Sequence, residues 1–249
     1  MLEPTREKKY YNWIDSPKGF SKDLKMSEND LKTLRKLINE GWLRRIQKVC
    51  PDGVELFKEG GIENYHLNAH LLDHEKIWPK PERMFSPKDV ATIKNLDFYK
   101  RLEKEFGSFL ITNEENVYDE EIYWRLVRPG RDDIGPLHAD EWFWVVQEKP
   151  TPQGYRRVKI WMAIYCVPGK SGLRYVEGSH HNEVPYNAVE KFGGVRPQIA
   201  VADEDLNVEA FLSDPGDCFV FHDKLLHGGM ENKSDKTRVS AEFTFLVKE

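Results

Sequence analysis

Cysteine is scarce in this sequence, with three in 249 residues. Cys50, Cys166 and Cys218 are widely separated, and their spacing suggests neither a disulfide framework nor a zinc knuckle. Buried free thiols are the expectation. The chain also lacks any apolar run of about 18 residues, the length that would cross a bilayer. Its opening stretch, MLEPTREKKYYNW, has no apolar core of the secretory kind. The expected location is the cytoplasm, with no membrane partner. Basic charge is not in excess either: 37 Lys and Arg stand against 42 Asp and Glu, a net charge of -5. The cations are dispersed, so no basic face argues for a nucleic-acid partner. There is no internal repeat and no low-complexity tract, which removes the solenoid and linker classes.

What is present is a chain that is 39% hydrophobic and 12% aromatic, enough for one substantial core. One domain over 1–249 is expected. Ser27 stands three positions before Asp30, and Leu31, Leu34, Leu37 and Ile38 follow at helical spacing, so residues 27–49 should form an amphipathic helix. A second helix is expected over residues 86–107, with Pro87 in its first turn and Gly107 after its end. From about residue 109 the texture changes to short β-branched and aromatic runs: EIYWRLV, VKIWMAIYCV, GLRYVEG, DCFVFH and RVSAEFTFLV. Turns at RPG, VPGKSG and DPGD punctuate them. The fold class expected is mainly β with flanking helices, a jelly roll of the double-stranded β-helix, cupin-like kind. The helical part would cover 1–108 and the jelly-roll core 109–249. Residues 182–210 have weak periodicity and read as a long excursion between strands.

Eight histidines are present. His66, His70 and His74 are four apart and would line one face of a helix, but HLNAHLL reads equally as a strand or irregular run, where they would not converge. His180 and His181 suit a capped loop, and His222 at the end of a strand suits packing. His138 and Asp140, in GPLHADEWFW, form an H-x-D pair. His227 ends the run FHDKLLH before Gly228 and Gly229. Two imidazoles and one carboxylate make the facial set that leaves open positions on a six-coordinate Fe(II). Eleven positions beyond His227, Arg238 begins an apolar strand. There it either points inward to an anion or sits on an edge beside a surface carboxylate.

In this order and spacing the residues resemble the phytanoyl-CoA dioxygenase family of Fe(II)/2-oxoglutarate oxygenases. VKIWMAIYCVPGKSGLRYVEGSHH, DPGDCFVFHDKLLHGG and ENKSDKTRVSAEF are similar to family segments, so that the likeness covers roughly residues 118–247. The resemblance implies iron held by His138, Asp140 and His227, and a 2-oxoglutarate 5-carboxylate held by Arg238. Ser240, on the same strand face, would assist, and Trp161 would border the co-substrate. It also implies O2 as a reactant, succinate and carbon dioxide as products, and hydroxylation of an unactivated C–H bond, with desaturation or epoxidation open to the same oxidant. Because Asp140 fills the carboxylate position, halogenation is disfavoured. One departure is Gly229, which stands where some relatives carry a hydroxyl residue. Tyr123 or Arg125, sharing one face of IYWRLV, would then supply a donor, although Arg125 also suits a surface cross-strand pair.

The substrate is expected to be a small molecule of unspecified class, and the oligomeric state is left open. Trp142, Phe143 and Trp144 could stack on a ring or line its slot, or EWFW could form the core face of a strand. Arg131, with Arg128, Arg174 and Lys170, could meet an anionic substrate or be solvated. Two other classes compete with the oxygenase: a non-catalytic jelly-roll binding protein, and a cupin-type isomerase or hydrolase using its metal as a Lewis acid.

Overall fold

The fold is described from a computed structural model covering residues 9–113, 119–191 and 194–249. A short strand, β1 (Phe20–Ser21), precedes helix α1 (Glu28–Val49). The start of α1 is fixed by a capping box: Ser27 Oγ accepts from the Asp30 amide, and the Asp30 carboxylate accepts from Ser27. Three short helices follow, α2 (Val54–Gly60), α3 (Tyr65–Asn68) and α4 (His74–Ile77). The single helix expected over 86–107 is two, α5 (Pro87–Ile93) and α6 (Asp97–Phe106). The break has a tertiary cause. Buried Asp30 accepts hydrogen bonds from the amides of Asp97 and Phe98 at 3.0 and 3.1 Å, satisfying the free donors of a new helix start.

The β part comprises β2 (Leu110–Thr112), β3 (Ile122–Val127), helix α7 (Asp140–Val146), β4 (Tyr155–Tyr165) and β5 (Gly172–Val176). After them come β6 (Tyr186–Lys191), β7 (Gly194–Ile199), β8 (Val208–Leu212), β9 (Cys218–His222), β10 (His227–Gly229) and β11 (Arg238–Lys248). The large sheet runs β1-β9-β4-β11-β2, with β3 also on β11. A smaller sheet runs β10-β5-β8. The strand runs seen in the sequence are all strands, but residues 182–210 are not a plain excursion, since they hold the β6–β7 hairpin and β8.

Alternation along the strands divides the large sheet into two faces. Val158, Ile160 and Met162 of β4 and Val239, Ala241, Phe243 and Phe245 of β11 face outward, into one continuous core with the helices. The helical part and the sheet therefore share a core. The opposite face carries Lys159, Trp161 and Ala163 on β4 and Arg238, Ser240 and Glu242 on β11. Apolar members of that face pack with Leu173, Tyr175 and Phe211 of the smaller sheet. A polar end is left between the two sheets. No helix among the described residues is long and apolar enough to cross a membrane.

Candidate metal centre

His138 and His227 are brought together by the backbone. They form an isolated antiparallel bridge in which each amide donates to the other's carbonyl at 2.9 Å. Their rings lie 4.5 Å apart between centroids. Each Nδ1 is 2.9 to 3.0 Å from a carbonyl oxygen two residues back, Pro136 for His138 and Leu225 for His227. An N–H at Nδ1 leaves the Nε2 lone pair free to bind a metal. Asp140 opens helix α7, and its Oδ1 is 3.8 Å from both Nε2 atoms. Among the described residues this is the one group whose ligand atoms converge, all within 4.8 Å of one another.

The electrostatics suit a cation. Burial alone would raise the Asp140 carboxyl, but Lys159, 3.8 Å from Oδ2, and then His227 and His138 hold it below the usual carboxylate range. His227, only 5% exposed, is pushed down to about 4, first by burial and then by His138. It is neutral at pH 7, as a ligand must be. Two imidazoles and one carboxylate, with space on the remaining side, match the donor set of a non-haem Fe(II) site.

That space is a cavity of about 760 Å³ shared by the three residues with Arg238, Ser240 and Trp161. Arg238 is buried and meets no carboxylate among the described residues. Its Nη1 donates to the carbonyls of Gly172 at 2.6 Å and Met230 at 3.1 Å, while Nε has no partner. Burial, and next the nearby Arg125, push this guanidinium down to about 10, still charged at neutral pH. Ser240 Oγ is buried without a partner, and the Trp161 ring centroid lies 6.0 Å from the guanidinium. A charge and a hydroxyl left unpaired on one face form a receptor for an anion. Arg125 and Tyr123 also border the cavity. Arg125 Nη2 donates to the Tyr123 hydroxyl at 3.2 Å, and its Nε is bonded to Glu242. Half of the Arg125 side chain is accessible although protein crowds it, because the accessible part faces the cavity.

Gly229 has a local reason. A Cβ there would lie 2.9 Å from Ile134 Cγ2 and 3.7 Å from Arg238 Nη2, so the glycine leaves room for both.

Other expected residues are elsewhere. The EWFW stretch is helical rather than a strand, which turns Trp142 and Trp144 away from the cavity. Trp142 stacks on Tyr186 at 4.7 Å, and Trp144 lies under the Arg157 guanidinium at 4.4 Å. Of the three aromatics Phe143 alone borders the cavity, edge-on to His138. Arg131 is exposed on a separate depression, Arg128 is bonded to Asp133, and Arg174 is bonded to Asp203. His66, His70 and His74 diverge, with their Nδ1 atoms beside Thr237 Oγ1, the Leu67 carbonyl and the Tyr65 hydroxyl. Two residues went unremarked in the sequence: Lys159 and Glu242, joined at 3.1 Å beneath Asp140. Their signal was available, because a lysine two before Trp161 and a glutamate two after Ser240 must share those residues' faces.

The comparisons with known proteins agree with this architecture. A non-heme monooxygenase, ThoJ in its apo form, superposes with a TM-score of 0.56 at 15% identity, over 93% of this chain and 75% of that one. EctD from S. alaskensis, solved with 2-oxoglutarate and 5-hydroxyectoine, gives 0.53 at 17% identity, over 98% of this chain and 80% of that one. AviO1 from Streptomyces viridochromogenes Tue57 gives 0.50 at 15% identity, over 92% and 89%. At such identities the likeness concerns the fold. No curated protein matches the sequence. The family model for phytanoyl-CoA dioxygenase (PhyH) matches residues 66–240, well over half of the chain. The match includes the three converging residues, Arg238 and Ser240, and it begins inside the helical part, where the sequence by itself suggests only helices. The chain therefore belongs to the phytanoyl-CoA dioxygenase family of Fe(II)/2-oxoglutarate-dependent oxygenases.

Proposed function

We propose that this protein uses Fe(II), 2-oxoglutarate and O2 to hydroxylate an unactivated C–H bond of a small-molecule metabolite, with succinate and carbon dioxide as products. The observation that carries the reading is the unpaired buried Arg238 in the same cavity as three converging metal-ligand atoms. His138, Asp140 and His227 would hold the iron. Arg238 would receive the 5-carboxylate of 2-oxoglutarate, assisted by the free hydroxyl of Ser240, and Trp161 would wall the co-substrate on one side. The Tyr123 hydroxyl and Arg125 are further donors bordering the same cavity, where Gly229 offers none. Iron bound here supplies the oxidising step, and the chain supplies orientation and exclusion of water. Asp140 occupies the carboxylate position, which favours hydroxylation over halogenation. The shared core supports the helical part and the jelly roll acting as one unit over 1–249.

Two substitutions test the reading. Asp140→Ala should abolish iron-dependent conversion of 2-oxoglutarate to succinate while circular dichroism stays unchanged, because one of three protein ligands is gone. Arg238→Gln should weaken 2-oxoglutarate by roughly 2–5 kcal/mol with little change in iron affinity, since the charge and the two-point contact are lost. Wild-type succinate yield from Asp140→Ala, or an unchanged 2-oxoglutarate dependence in Arg238→Gln, sinks it. A bare binding module would show no iron-dependent 2-oxoglutarate binding, and a Lewis-acid hydrolase would consume no oxygen.

A further inference from the structure

The cavity holds more positive charge than iron and 2-oxoglutarate require. Lys80, Arg83, Arg125, Arg196 and Arg238 border it. Lys80 is paired with Glu121 at 2.5 Å, and Arg125 with Glu242. Arg83, Arg196 and Arg238 meet no carboxylate among the described residues, and 2-oxoglutarate accounts for Arg238 alone.

Arg83 is built as an anchor. Its Nε donates to the Trp78 carbonyl at 2.9 Å and its Nη1 to the Trp124 carbonyl at 2.8 Å, which fixes the guanidinium of a side chain that borders the cavity and leaves Nη2 with no hydrogen-bond acceptor among the described residues. Burial, and after it the neighbouring Arg125, bring it down to about 10, so it remains a cation at neutral pH. A guanidinium whose rotamer is already set loses little entropy on binding, and one that lacks a counter-ion gains most from an arriving anion. Its place along β3 differs from that of Arg238. Arg83 lies 5.9 Å from the Tyr123 ring, beside the bridge between Met84 and Tyr123, whereas Arg238 stands opposite Val127. Four strand positions separate Tyr123 from Val127, about 13 Å at the usual rise. Arg196, on the hairpin strand β7 near helix α7, borders the same cavity and adds a second cation that meets no carboxylate among the described residues.

We infer that the primary substrate carries an anionic group, a carboxylate or a tetrahedral oxyanion such as a phosphate or sulfate, and that Arg83 anchors it with Arg196 in support. The inference rests on the reading that 2-oxoglutarate occupies Arg238. Glu121 and Glu242 are each already paired with a cation, so neither repels such a group as a free charge would.

The test is calorimetry without oxygen on protein saturated with Ni(II) and 2-oxoglutarate, at constant ionic strength. The probes are inorganic sulfate, benzoate and, as a neutral control, benzamide. Saturable binding of sulfate or benzoate, with benzamide at least tenfold weaker, is expected, and the stronger of the two anions identifies the favoured acid. Arg83→Gln should weaken the anion at least tenfold and Arg196→Gln a few-fold, while Arg131→Gln, outside the cavity, should change nothing. Anion binding of wild-type strength in Arg83→Gln, or no preference for anion over benzamide, overturns the inference. If Arg83→Gln fails to fold, Arg83→Lys decides. It keeps the charge but replaces the planar fork, which spans the two carbonyls from separate nitrogens, with a single ammonium nitrogen, so a several-fold loss supports the anchor and wild-type affinity removes it. The 2-oxoglutarate titration comes first. Its failure would remove the proposed function, and the anion titration on Ni(II)-loaded protein would still decide the role of Arg83.

Discussion

Asp140 shows how a single side chain depends on charges outside the converging set. Its Oδ1 faces the two imidazoles while its Oδ2 faces Lys159, and Lys159 is in turn 3.1 Å from Glu242. Burial opposes ionisation of Glu242, but Arg125 and then Lys159 outweigh it and hold the carboxyl well below its ordinary value. Removing that charge should be costly, because two cations lose a carboxylate in a poorly solvated place. Glu242→Gln is expected to lower stability by roughly 3–5 kcal/mol, read as a lower urea midpoint, and the double change Glu242→Gln, Lys159→Met should recover part of it. A double variant no more stable than the single one would mean that the two residues act independently.

At the scale of elements, strand β10 and helix α7 decide the geometry. The three residues of β10 present His227, and its glycines allow the chain before His138 to approach: a Cβ on Gly228 would be 3.1 Å from the Pro136 carbonyl. Replacing Gly229 by Ser would restore the hydroxyl that some relatives carry, yet here it should impair the site. The new Cβ would press on Ile134, so 2-oxoglutarate affinity should fall several-fold, and Ile134→Ala in the same chain should relieve it. Improved affinity in Gly229→Ser alone would contradict this packing argument. Helix α7 makes a similar point. Read as a strand, DEWFWVV alternates Asp140, Trp142 and Trp144 on one face, but a helix puts Asp140, Phe143 and Gln147 together, and Phe143 and Gln147 border the cavity.

Across the whole molecule, acid should be the weak side. His180 and His227 are both buried and both pushed down to about 4, in each case by burial first and then by a neighbouring histidine. In the unfolded chain each takes up a proton near pH 6.5, whereas in the folded chain neither does until far lower pH. Their contribution to stability is therefore complete above pH 6.5 and is lost as pH falls toward 4, at roughly 1 kcal/mol per pH unit for each. Urea denaturation of metal-free protein should give a lower midpoint at pH 5.0 than at pH 7.5. An equal or higher midpoint at pH 5.0 would mean that these histidines are not held neutral by the fold.

Local pattern alone determined strands β3, β4, β5, β9 and β11, the start of α1, and the candidate ligand set. Period-two alternation and a capping box are features of neighbouring residues, and the order His138, Asp140, His227, Arg238 can be read along the chain before any contact is known. Alternation also assigns Tyr123 and Arg125 to one face of β3 and Trp124 and Leu126 to the other, which is how they lie. Tertiary structure decided what depends on partners distant in sequence. Asp30 split the helix at 86–107 by accepting from amides 67 and 68 residues away. Short apolar runs such as WFWVV suit helix and strand alike until packing chooses. That Arg83 meets no carboxylate among the described residues could not be seen from the chain either, because being unpaired is a property of the space around a side chain.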